Sequence, residues 1–143
     1  MKTCRRCFNI AEDDLCEICK DLHRDQKIVC VVEEPLDIIS LERTGTFKGL
    51  YHVLGGVIFG GKDENLKISE LIKRIKEEKP EEIILATNPT TEGDATALYL
   101  KKKLQEYDVK LTRLARGLST GSDIEYADEI TLSSALNNRR ELK

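Results

Sequence analysis

The sequence has no excess of positive charge: 23 Lys and Arg face 26 Asp and Glu, for a formal net charge of -3. A strongly basic surface that coats nucleic acid is therefore excluded for this chain alone, and any DNA contact must be local or shared. Long hydrophobic runs are missing too, since no stretch approaches the roughly 20 apolar residues that span a bilayer. The start lacks the charged, then apolar, then small pattern of an export leader, because Met1 is followed at once by Lys2, Thr3 and Cys4. The expectation is a cytoplasmic protein with no membrane association. No low-complexity tract and no repeat at a fixed period occurs, which removes solenoids and arrays. What remains is 143 residues, 40% hydrophobic, enough for one core-bearing domain and a small appendage.

Five cysteines are present, and they divide four and one. Cys4 and Cys7, then Cys16 and Cys19, form a C-x2-C-x8-C-x2-C pattern. Two such knuckles can place four sulfurs around one zinc ion at about 2.3 Å each, with backbone N–H groups stabilising their charge. Two disulfides are the competing reading, but they rarely persist in the reducing compartment that the missing leader implies. The segment is too short to bury a core, so metal binding supplies its folding free energy, and four thiolates leave no open position for water or substrate. The expected zinc is structural. Cys30 lies in the apolar run 28–32 and reads as a buried strand residue. His23, between finger and strand, reads as a polar linker residue or a spare ligand.

After the finger the pattern alternates. Residues 28–32 predict a strand, and Pro35 stands at the first position of a helix through 42. A second strand is predicted around 51–54, followed by a glycine-rich stretch, 55–61, and Lys62. Residues 69–79 carry apolar positions at Leu71, Ile72 and Ile75, an amphipathic helix stopped by Pro80. Strands at 83–86 and 109–114 flank a helix predicted over 95–104. Short strands alternating with helices imply a mostly parallel sheet covered on both faces, an α/β fold. Residues 127–133 predict one further strand, with Ser133 capping a short last helix. This terminal strand-helix arm suits either a partner or its own domain.

Glu33 and Glu34 follow the first strand of the sheet, while Glu92 and Asp94 follow the strand at 83–86, and parallel sheets present ligands at such ends. These carboxylates suit either a hard divalent cation such as Mg²⁺ or a solvated loop in which one of them caps the helix near Gly93.

The strings VEEPLD at 32–37, YHVLGG at 51–56, TNPTTEGD at 87–94, TRLARGL at 112–118 and EYADEITL at 125–132 resemble the Toprim domain of topoisomerases, primases and some nucleases. Set behind a four-cysteine finger, they are similar to the RecR family of bacterial recombination mediators over essentially the whole chain. The resemblance implies a Cys4 zinc finger at 1–26, a Toprim domain at 27–118 and a C-terminal arm at 119–143 that exchanges with another subunit. Catalytic Toprim domains pair an acid like Glu33 with an acid-x-acid motif, and here that motif is Asn88 and Thr90. Only Glu92 and Asp94 survive, so Mg²⁺ should bind weakly if at all. No poised nucleophile stands nearby, since Tyr99 lies within a helix pattern. The family also carries a helix-hairpin-helix DNA-binding domain ahead of the finger. Its absence here implies a shortened chain with weak DNA binding of its own.

The resemblance therefore implies a non-catalytic clamp or adaptor. It would form a homo-oligomeric ring around DNA and act with RecO and RecF to load recombinase on gapped DNA coated with single-strand-binding protein. Glu33, Glu34, Glu92 and Asp94 are the expected contacts for a basic surface on RecO. Arg5, Arg6, Arg113, Arg116, Arg139 and Arg140 are the residual basic candidates for phosphate, each also explicable as a solvated surface charge. A Mg²⁺-dependent nuclease or phosphotransfer enzyme built on Glu33, Glu92 and Asp94 is the alternative.

Overall fold

A computed structural model describes residues 1–58 and 65–142 of the chain. The end of the glycine-rich stretch, including Gly60, Gly61 and Lys62, lies outside the described residues. Two compact units follow one another, Met1–Arg113 and Leu114–Lys143.

Within the first unit, β1 (Lys2–Thr3) pairs with β2 (Ile10–Ala11), and α1 (Glu17–Lys20) completes the cysteine-rich finger. There follow β3 (Ile28–Val32), α2 (Pro35–Glu42), β4 (Leu50–Val53), α3 (Ile68–Glu78), β5 (Glu82–Leu85), α4 (Thr91–Leu104) and β6 (Lys110–Arg113). The four longer strands form one parallel sheet in the order β4-β3-β5-β6. Central β3 is apolar along its whole length because both of its faces are covered. Val29 and Val31 point to a core completed by Ile83, Leu85, the α3 residues Leu71 and Ile75, and the α4 residues Leu100 and Leu104. Cys30 and Val32 point the other way, to Tyr51, Val53 and the α2 residue Ile38, with Phe8 and Ile18 of the finger packed against them. The finger is thus part of one cover of the sheet.

Helix limits follow local chemistry. Pro35 opens α2 as its sequence position predicts, and Lys79, in the left-handed region with φ +49°, closes α3 before Pro80. Helix α4 starts at Thr91, earlier than the predicted 95, because the Thr90 hydroxyl accepts from the Gly93 N–H at 2.9 Å. Glu92 and Asp94 are consequently first-turn helix residues, where the helix dipole favours carboxylates.

In the second unit, residues 127–133 are not a strand. A 3-10 turn, Ile124–Tyr126, leads into α5 (Glu129–Asn137), and Asp128 caps it by accepting from the Thr131 N–H at 2.7 Å. The β-branched Ile130 and Thr131 suggested a strand, but the cap fixes the helical start, and Ser133 lies inside the helix.

The finger is fastened to the sheet by a polar cluster. Val53 N–H, on the outer edge of β4, donates to the Cys7 carbonyl at 2.7 Å. Arg6 makes a two-point pair with Glu78, at 2.8 and 3.2 Å, and Arg74 donates to the Arg6 and Tyr51 carbonyls. Phe8 holds φ +68°, uncommon for a bulky residue, and sets its ring edge-on to buried His52 at 5.5 Å between centroids. His52 Nδ1 accepts from Arg74 at 3.3 Å, which leaves Nε2–H to donate to the Lys67 carbonyl at 2.9 Å. Burial pushes the His52 pKa down to about 4 from 6.5, and the Arg74 charge acts in the same direction.

A base with a depressed folded pKa binds fewer protons folded than unfolded, so stability falls as pH drops below the unfolded value. From about pH 6.5 to about pH 5 the neutral ring should cost the fold about 2 kcal/mol. Urea unfolding of the zinc-loaded protein through that window checks this, with the slope expected to flatten in His52→Phe.

Candidate functional site

Two arrangements in the first unit carry chemistry. The first is the finger. Cys4, Cys7, Cys16 and Cys19 are all buried, and their sulfurs lie within 4.8 Å of one another. Cys7 and Cys16 are 3.6 Å apart, close to the edge of about 3.8 Å that a tetrahedron with 2.3 Å bonds requires. The Cys19 and Cys7 thiols, hydrogen-bonded to Cys16, pull its pKa down, and the Cys19 N–H adds to this. This donor set, four soft buried sulfurs gathered around one point, fits zinc. With all four positions filled by protein, the ion is structural. Among the described residues this is the one group of His, Cys, Asp or Glu whose ligand atoms converge. His23 is exposed and takes no part, and Cys30 is buried in β3 with its thiol pushed up to about 12 by burial.

The second arrangement lies at the C-terminal edge of the sheet. Strands β3, β5 and β6 all end there, and this brings Glu33, the loop 86–90, the first turn of α4 and Arg113 together. The half-buried Glu33 carboxylate accepts from the Asn88 N–H at 2.6 Å, and its carbonyl accepts from the Gly55 and Gly56 N–H groups at 2.9 and 3.0 Å. Both glycines hold positive φ, as this tight turn needs. Thr87 is buried and donates its hydroxyl hydrogen to the Gly93 carbonyl at 2.7 Å. Gly93 itself is pressed against the loop, so that a Cβ there would overlap the Asn88 carbonyl and approach Glu33 Oε2 to 3.1 Å.

Arg113 closes the arrangement. Its Nη1 donates to the Leu85 and Thr87 carbonyls at 2.9 and 2.7 Å, and its Nη2 to the Asn88 carbonyl and to Asp94 Oδ1 at 3.3 and 3.2 Å. Burial lowers its pKa, while the nearby Glu33 carboxylate pulls the other way.

The four acids are therefore unlike one another. Glu33 holds the loop and Asp94 is paired with Arg113, whereas Glu34, the N-cap of α2, and Glu92 are exposed. The structure brings Glu33 and Asp94 to one edge but puts a guanidinium against Asp94. Arg113 and Arg6, which the sequence offered as solvated charges or phosphate contacts, are both half-buried and paired with carboxylates. Only the sheet register could show this for Arg113: it lies opposite Leu85, at the last pair of the β5-β6 ladder. Tyr99 is half-buried against the core of α3 and α4, in the packing position the helix pattern suggested.

Comparison with known proteins follows this division. A model of the Toprim domain matches residues 27–115, a model of the RecR Cys4-zinc finger domain matches 1–21, and one of the RecR C-terminal region matches 117–140. A protein named recombination protein RecR from Herpetosiphon aurantiacus is 56% identical over 142 residues, 97% of this chain and 70% of that protein. Its namesake from Chloroflexus aggregans is 58% identical, covering 97% and 69%, and the one from Enterococcus faecalis 52%, covering 97% and 72%.

Chelating the metal should unfold the finger and expose the α2 face of the sheet. Circular dichroism and dye binding on adding a zinc chelator, reversed by zinc alone, check this. Gly93→Ala should destabilise the chain by about 2 kcal/mol or more, because the added methyl meets rigid backbone; thermal unfolding measures it.

Proposed function

Because this chain belongs to the RecR family of recombination proteins, we propose that it serves DNA recombination and repair as a non-catalytic adaptor. In this reading it works in the cytoplasm with RecO and RecF, loading recombinase onto gapped DNA coated with single-strand-binding protein. No helix among the described residues is long and apolar enough to cross a membrane.

The observation that carries this reading is the use made of the sheet's C-terminal edge. Asn88 and Thr90 stand where a metal-dependent Toprim enzyme holds its acid pair. Here the Asn88 N–H ties down Glu33, and the Thr90 hydroxyl caps α4. With Arg113 on Asp94, little free negative charge is left for Mg²⁺, and this counts against a nuclease or phosphotransfer activity. The edge is a fixed platform instead. Residues 88–92 and Glu34 are exposed on it, and the acids suit a basic partner surface such as RecO would present.

Oligomer formation has separate support. None of the described residues of the second unit is buried, and Ile124, Tyr126, Ile130 and Leu136 are exposed apolar side chains on it. An arm at 119–143 that is covered by another subunit would account for such a surface. DNA binding by this chain alone is weak in this reading, because of the six candidate arginines Arg6 and Arg113 are committed to internal pairs.

Titration of RecO tests the platform, and Glu34→Ala with Glu92→Ala is the informative variant because neither side chain ties the loop. A folded double variant should bind at least about tenfold more weakly. Unchanged affinity would move the partner site to the finger or the terminal arm.

A further inference from the structure

Arg113 meets an unusual set of partners for a surface arginine. Three are backbone carbonyl oxygens, of Leu85, Thr87 and Asn88, and the fourth is the Asp94 carboxylate. Its side chain is 27% exposed and serves all four oxygens at once through charge-assisted hydrogen bonds. Carbonyl and carboxylate oxygens gathered around one cationic group are also the kind of ligand a hard divalent cation takes. The Glu33 carboxylate is close enough to act on Arg113 electrostatically, and its hydrogen bond to Asn88 holds the same loop from the other side. A planar guanidinium can serve two carbonyls with one nitrogen and a carbonyl and a carboxylate with the other, which an ammonium group cannot do in that geometry.

We propose that Arg113 is the resident cation of this edge, a positioning residue that holds the β5-α4 loop in its exposed form and keeps divalent metal from the oxygens it binds. The metal-excluding role stands on the geometry alone, whereas the link to partner binding rests on the adaptor reading above. Arg113 is then the reason the platform needs no ion to keep its shape. It also accounts for Asp94 having a role distinct from that of Glu92: Asp94 completes the guanidinium site, while Glu92 faces outward.

The test compares the zinc-loaded full chain with Arg113→Met, which keeps bulk and removes charge. Mn²⁺ is titrated by electron paramagnetic resonance, and thermal unfolding is followed with and without Mn²⁺. The native protein should bind no Mn²⁺ at this edge and keep its melting temperature. Arg113→Met should melt lower, gain a Mn²⁺ site at least about tenfold tighter than anything in the native chain, and lose it again when Asp94→Asn is added. If Arg113→Met does not fold unaided, refolding in Mn²⁺ should recover it. Mn²⁺ bound at this edge by the native protein, a variant with no new site, or a misfolded variant that Mn²⁺ does not rescue overturns the proposal.

The same samples are titrated with RecO. Affinity should fall at least about tenfold in Arg113→Met and return in part with Mn²⁺. If native protein binds RecO and the variant binds equally well, the positioning role is wrong. If the native protein does not bind RecO while the Mn²⁺ site forms as expected, the adaptor reading fails and the metal-excluding role of Arg113 stands.

Discussion

A parallel sheet whose central strand is apolar on both sides must be covered on both sides, and this chain has few residues with which to do it. Helices α3 and α4 cover one face of β3. On the other the cover is the eight-residue α2 together with Phe8 and Ile18 of the finger. The finger has its own cluster of buried cysteines with little else in it, so its shape depends on the metal. Zinc therefore acts beyond the finger, because the finger's backbone also occupies the edge of β4 through the Cys7 carbonyl. A part-buried polar cluster of Arg6, Arg74, Glu78 and His52 fixes the orientation of the two parts, its charges paired and hydrogen-bonded except at the buried Arg74 Nη2, which has no hydrogen-bond partner among the described residues.

The opposite demand governs the C-terminal edge of the sheet, where strand ends meet and polar backbone groups are left over. Loops there commonly take a ligand or a metal to satisfy those groups. Here the chain satisfies them itself: Glu33 takes an amide, Thr90 takes another, and Arg113 takes three carbonyls. An edge so satisfied has its loop held by the chain's own side chains and has little electrostatic call for an ion. The Glu34 and Glu92 side chains stand exposed to solvent and take no part in holding the loop between β5 and α4.

The two units differ in the same terms. The first buries an apolar core on both faces of its sheet, whereas the second, from Leu114 onward, buries no described residue and leaves several large apolar side chains in water. A segment of that kind gains little from folding on its own surface, which is the thermodynamic setting in which association contributes most.

The sequence by itself determined whatever depends on spacing and periodicity. Four cysteines in two knuckles specified the metal site, because a C-x2-C turn can bring both sulfurs to one ion wherever it lies. Alternating apolar runs and amphipathic stretches specified a parallel α/β sheet, and the strings around 32–37 and 87–94 specified the Toprim-like domain. Spacing could not separate a strand from a helix at 127–133, where β-branched residues and the Asp128 cap point in opposite directions and the cap prevails. Nor could it assign roles to the acids or to Arg113. Those roles depend on which strand ends lie side by side, and β5 and β6 are neighbours only after the helix between them has crossed the sheet. Glu33 and Asn88 are far apart in the chain yet 2.6 Å apart in the fold, and a hydrogen bond of that kind exists only once the tertiary structure has placed both partners.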